Sequence, residues 1–172
     1  NEAIPLVVGN TMYVTSPYGA IHALDATTGA MKWTFRLPDN DQPSKRGVAY
    51  WPGGDGAPPS IIFGGLSGGM YSIKASDGTL NAGFGASGVV DLKTPEVMQT
   101  GMNLAYSLLT APTIYKNLII TGAGTGEGPG GSAGGAGPSG DTRAFDARTG
   151  RLVSFTSRVM LKYSAWVSTC EM

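Results

Sequence analysis

At 172 residues the chain is long enough for a sizeable core, and its 12 Lys and Arg balance its 12 Asp and Glu. Zero net charge gives no electrostatic basis for binding nucleic acid or an anionic membrane. One cysteine, Cys170, and one histidine, His22, leave no internal disulfide and almost no support for a zinc site or Cys/His catalysis. The 27 glycines with few charged residues suit many short strands joined by tight turns. No apolar stretch approaches the ~18 residues of a membrane span. The start, Asn1 to Pro5, is not signal-like and reads as the middle of a longer or processed chain.

Leu6 to Thr15 predicts strand, Gly-Asn turn, strand. Ala20 to Ala26 and Met31 to Leu37 add two more, completing a four-stranded antiparallel unit. Pro38 to Lys45 is polar and turn-rich, a connector. A second unit opens at Gly47 to Trp51, continues through Ile61 to Gly64 and Met70 to Ile73, and ends near Phe84 to Leu92. Thr94-Pro95-Glu96-Val97-Met98 has a Thr cap with Pro at the first helical position and predicts at most a short helix. The third unit runs through Thr113 to Tyr115, Leu118 to Thr121 and Thr142 to Ala147. It is interrupted by Gly124 to Gly140, nearly all Gly, Pro, Ser and Ala, which reads as a long surface loop.

One stretch organises the rest: Ala23-Leu24-Asp25-Ala26-Thr27-Thr28-Gly29-Ala30-Met31-Lys32-Trp33. Asp25 can accept backbone N–H bonds across a turn, Gly29 supplies a positive φ, and Trp33 is suited to bridging two packed sheets. The pattern returns at Ala144 to Gly150 and more faintly at Ser72 to Gly78. With the Gly-rich loop set aside, the spacing is about 50 residues, which is the period of a propeller blade. Propellers close with about four to eight blades, so three do not complete a ring.

That stretch resembles the tryptophan-docking repeat of the quinoprotein dehydrogenases, Ala-x-Asp-x-x-Thr-Gly-x-x-x-Trp. Glu2 to Val8 resembles the opening of the family's first blade, Arg46-Gly47-Val48-Ala49-Tyr50-Trp51-Pro52-Gly53 the second, and Ala111 to Ile120 the third. The ordered set covers residues 2 to about 153. The resemblance implies an all-β fold, a partial β-propeller of about three four-stranded antiparallel blades from an eight-bladed ring. It also implies pyrroloquinoline quinone near the propeller axis, with Ca²⁺ or a lanthanide polarising the quinone carbonyl.

Carried over residue by residue, the resemblance assigns cofactor contacts. Arg46 matches the arginine that grips a cofactor carboxylate, for which a guanidinium fork is suited. Glu2 matches a glutamate that contacts the quinone. The family's threonine falls at Leu109; Thr110 follows one place later, and a one-residue shift turns a strand side chain to the opposite face. Gly122 to Glu127 resembles a segment of small cofactor-contacting residues, here Gly124, Thr125 and Gly126, followed by a metal-binding glutamate, here Glu127. Backbone N–H groups suit an anionic ring, and a hard oxygen ligand suits Ca²⁺. Asn40 and Asp41 stand where the methanol enzymes carry a vicinal cysteine pair, which favours the sugar and polyol branches.

Other readings of these residues are weaker. Gly126 to Gly131 satisfies the dinucleotide pattern formally, but no helix can follow it, and no Gly-Lys-Ser/Thr phosphate loop exists. Trp51, Tyr50 and Phe63 read as core aromatics, and His22 as a structural or exposed strand residue. The third repeat has Ser154 in the tryptophan's place, and 156–172 no longer resembles the family. Truncation or a changed reading frame would account for both.

The sequence therefore predicts propeller blades over 1–155 and a divergent tail over 156–172. The expected function is part of a periplasmic dehydrogenase oxidising a sugar, polyol or alcohol by hydride transfer to the quinone, with a quinone or cytochrome acceptor. Membrane association would come only through segments absent here. The catalytic aspartate and remaining metal ligands belong to later blades, so no catalytic residue is expected in this chain and it alone should be inactive. The alternatives are a non-catalytic propeller used as a protein-binding scaffold, and an inactive gene fragment.

Overall fold

The computed structural model describes residues 4–98, 107–122 and 142–156, with backbone alone for 155 and 156. Glu2, Gly124, Thr125, Gly126 and Glu127 lie outside the described residues, as do the whole of the Gly-rich loop and nearly all of the tail.

Three four-stranded antiparallel sheets are formed in serial order. The first holds β1 (Leu6–Val8), β2 (Thr11–Ser16), β3 (Ala20–Asp25) and β4 (Met31–Arg36). The second holds β5 (Ala49–Trp51), β6 (Ser60–Gly64), β7 (Gly69–Lys74) and β8 (Val89–Asp91). A single helical turn, α1 (Pro95–Met98), lies in the connector to the third sheet, with Val97 N–H on the Thr94 hydroxyl at 3.4 Å. The third sheet holds β9 (Thr113–Tyr115), β10 (Leu118–Gly122), β11 (Thr142–Asp146) and β12 (Leu152–Thr156). No helix among the described residues is long and apolar enough to cross a membrane.

The sheets stack as blades, and burial follows from that. In β6 every residue is buried, because Ile61 and Phe63 face the first blade while Ile62 faces the third. One core joins blades one and two through Tyr13, Ile21, Val48, Phe63 and Tyr71; another joins two and three through Trp51, Met70, Phe84, Leu108, Ile119 and Phe145. Period-two alternation thus serves two cores in the middle blade and one in each flanking blade.

The repeated turn is the docking device. Gly29, Gly78 and Gly150 have φ of 74°, 73° and 73°, and each N–H bonds the carbonyl four residues earlier at 2.8, 2.9 and 2.8 Å. Around Asp25, the Thr28 N–H and hydroxyl and the Thr27 N–H converge on one carboxylate oxygen and hold the carboxyl below its ordinary value. The Trp33 ring lies on the second blade's Gly78, where a Cβ would come within 2.6 Å of it, and its N–H donates to Ala75 O at 3.2 Å. Tyr13 supports the ring from 5.7 Å and bonds the same carbonyl. The second repeat has no tryptophan, and the structure shows what replaces it. Phe84 and Val90 press on Gly150 of the third blade, and Gly85 N–H bonds Thr149 O at 2.8 Å.

Candidate functional site

Each blade begins at the same end of the stack, where the connectors and the turns between second and third strands also lie. At this end Arg46 and Thr110, 64 residues apart in sequence, form a parallel backbone bridge. Both are exposed. Gly47, with φ of 95°, lies so close to Ile4 that a Cβ would sit 2.8 Å from its carbonyl oxygen. The openings of all three blades therefore converge: Ile4 beside Gly47, and Arg46 beside Thr110. Glu2 precedes Ile4 by two residues. Gly122, the end of β10, and Thr142, the start of β11, pair with each other at this same end.

The backbone at Arg46 is fixed while its side chain stays free in solvent. Fully buried Ser44 donates its N–H to Gly64 O at 2.7 Å and its hydroxyl to Gly47 O at 3.0 Å. Leu108, two residues before Thr110, is buried against Gly64, which has no room for a side chain. Leu109 and Thr110 then turn outward. An exposed guanidinium and an exposed hydroxyl, on bridged backbone held from beneath, can bind a planar carboxylate.

The sequence reading gave no structural role to several residues packed at this end, Asp41 among them, which it read only as standing in a cysteine's place. Asp41 is buried and accepts four hydrogen bonds: Gln42 N–H at 2.8 Å, Ser67 N–H at 2.9 Å, the Ser67 hydroxyl and Tyr71 O–H at 3.1 Å. Burial, and then the Asp41 charge, push the Tyr71 phenol up to about 12, so it remains a donor at neutral pH. Arg143 is almost wholly buried and donates Nε to Val97 O at 2.7 Å and Nη2 to Met98 O at 3.4 Å, serving carbonyls at the end of the short helix. Among the described residues no three His, Cys, Asp or Glu side chains cluster to hold a metal ion. His22 bonds Thr34 Oγ1 at 3.0 Å within the first sheet, a structural role.

Residues 1–158 match the family model described as PQQ: Glucose/ethanol/alcohol dehydrogenase, beta-propeller domain. The chain is 32% identical over 161 residues to the dehydrogenase subunit of an alcohol dehydrogenase (quinone) of Gluconobacter oxydans, covering 88% of this chain and 18% of the relative. It is 31% identical over 170 residues to quinoprotein glucose dehydrogenase of the same organism, covering 89% and 20%. Among solved structures, quinohemoprotein alcohol dehydrogenase ADHIIG of Pseudomonas putida superposes with a TM-score of 0.64 at 25% identity, covering 89% of this chain and 20% of that one. The chain spans about a fifth of the length of the curated relatives it matches.

Proposed function

The chain belongs to the quinoprotein glucose/ethanol/alcohol dehydrogenase β-propeller family, and from that premise we propose that it supplies three blades and one side of a pyrroloquinoline quinone site. The observation that carries this reading is the Arg46–Thr110 backbone bridge, which brings two exposed polar residues together where the blades open. The described donors fit a planar tricarboxylate. Arg46 would take a carboxylate through its fork and fix the ring's orientation, and the Thr110 hydroxyl would donate to an oxygen beside it. Glu2, Gly124, Thr125 and Gly126 would complete the contact, and Glu127 would be the chain's ligand to Ca²⁺ or a lanthanide. The described residues supply no metal-ligand set themselves.

When bound, the quinone supplies the hydride acceptor. The substrate is a sugar, polyol or alcohol, the electron acceptor a quinone or cytochrome, and the compartment the periplasm. Proton removal falls to a carboxylate from another blade, so these three blades bind and orient the cofactor without turning over substrate. Titration with pyrroloquinoline quinone in the presence of Ca²⁺, followed by quinone absorbance, tests the reading. Saturable binding that Arg46→Ala weakens supports it; absence of binding favours a scaffold propeller.

A further inference from the structure

We infer that Asp41 is a positioning residue for the quinone site, the carboxylate that locks the inter-blade connector so that Arg46 is presented at the opening of the second blade. The inference rests on the reading of Arg46 as a cofactor contact. The connector reaches Asp41 through Asp39 and Asn40, which both adopt left-handed backbone, with φ of 52° and 57°. Non-glycine residues occupy that region at a cost and stay there when surroundings hold them.

The holding groups come from the β6–β7 turn and from β7 of the blade that Arg46 opens. The Asp41 carboxylate fills the space where Gly65 would carry a side chain, and it ties Ser67 and Tyr71. The chain then runs alongside that turn: Leu66 N–H bonds Gln42 O at 2.9 Å, Pro43 bridges Gly65, and Ser44 N–H bonds Gly64 O. The clamp begins at Asp41 and ends where Arg46 bridges Thr110.

The third blade repeats the device with different chemistry. Tyr71 pairs with Phe63, and the next pair is Gly64 with Met70; Arg143 pairs with Thr121, and the next pair is Gly122 with Thr142. Tyr71 and Arg143 therefore hold the same place in successive blades. Each grips the connector in front of its own blade, Tyr71 at Asp41 and Arg143 at the Val97 and Met98 carbonyls. The two connectors so gripped are those that end at Arg46 and Thr110. In the first blade the equivalent residue, seven before Gly29 as Tyr71 is before Gly78 and Arg143 before Gly150, is His22, which bonds Thr34 within its own sheet.

The test measures two quantities on the same chain: amide hydrogen exchange over 42–48, which needs no cofactor, and quinone affinity in the presence of Ca²⁺. Asp41→Ala should raise exchange and weaken affinity about tenfold, the scale of one charge-assisted contact. Asp41→Asn should recover most of the loss, because the Ser67 and Tyr71 hydroxyls can reverse and accept from the amide. If Asp41→Ala fails to fold, Ser67→Ala removes one donor and should give a smaller change of the same sign. Asp25→Asn, in a turn at the opposite end, should lower stability while leaving both quantities as in the wild type. Wild-type exchange over 42–48 in Asp41→Ala overturns the inference, and so does wild-type affinity there when Arg46→Ala loses it. If Arg46→Ala itself binds at full strength, the functional reading falls, and the exchange data alone decide whether Asp41 locks the connector.

Discussion

Alanine placed at Gly29 and at Gly78 separates the backbone requirement of the repeated turn from its docking role. The two glycines have φ of 74° and 73°, so alanine meets the same left-handed penalty at each, about 1–2 kcal/mol. Their surroundings differ. Nothing lies within 4 Å of a Cβ at Gly29, whereas at Gly78 it would come within 2.6 Å of Trp33 Cε3 and 2.9 Å of Cδ2. Those atoms belong to a rigid ring held by its N–H on Ala75 O and by Tyr13, so they cannot retreat cheaply. Overpacking of this kind costs about 1–3 kcal/mol, and Gly78→Ala should exceed Gly29→Ala by that amount. At roughly 2–4 °C per kcal/mol for a chain of this size, thermal unfolding should resolve the difference. In a Trp33→Ala background the excess should vanish, giving a coupling above about 1 kcal/mol in a double-mutant cycle. Equal costs for the two glycine variants, or no coupling to Trp33, would refute the claim that this repeat docks one blade on the next.

Tyr71 predicts alkaline sensitivity. Its folded-state pKa of about 12 lies above the ordinary 10.0, so the folded chain holds the phenolic proton more tightly. That stabilisation is full below pH 10 and is lost as pH rises towards 12; discounted for solvent screening it is about 1 kcal/mol. Chemical denaturation from pH 8 to 12 should show the fall, and Tyr71→Phe should flatten it. Thr121→Val should stabilise by about 1 kcal/mol in urea melts, because the buried Thr121 hydroxyl has no hydrogen-bond partner among the described residues. Arg143→Met should cost about 2–4 kcal/mol by the same assay, since it removes the donors to Val97 O and Met98 O while filling similar volume.

The first blade and the docking turn were legible in the sequence because their causes are local. Asp25, Thr28 and Gly29 form one turn, and alternating apolar residues mark the strands around it. The second repeat was harder, since its tryptophan is missing and the residues that dock on Gly150, Phe84 and Val90, come after an intervening loop. Spacing could not supply that substitution. Arg46 and Thr110 were candidates by resemblance, but their juxtaposition depends on two blades meeting and has no local signature. Asp41 appeared only as an occupant of a cysteine's place; its four donors come mostly from residues 67–71 and were invisible until the connector met that turn. Arg143 sits in a strand where a charged residue reads as solvent-facing, yet the carbonyls of a short helix gave it a buried role. Ser154, in the third tryptophan's place, falls on β12, the last strand described.

The central claim, that Arg46 and Thr110 form one side of a quinone site, is tested most directly by amide chemical-shift mapping of the chain titrated with pyrroloquinoline quinone and Ca²⁺. The account predicts shifts concentrated at Arg46, Gly47 and Thr110, with the Gly29, Gly78 and Gly150 turns at the other end unmoved. Shifts centred on those turns, or none at Arg46 at saturating quinone, would contradict it.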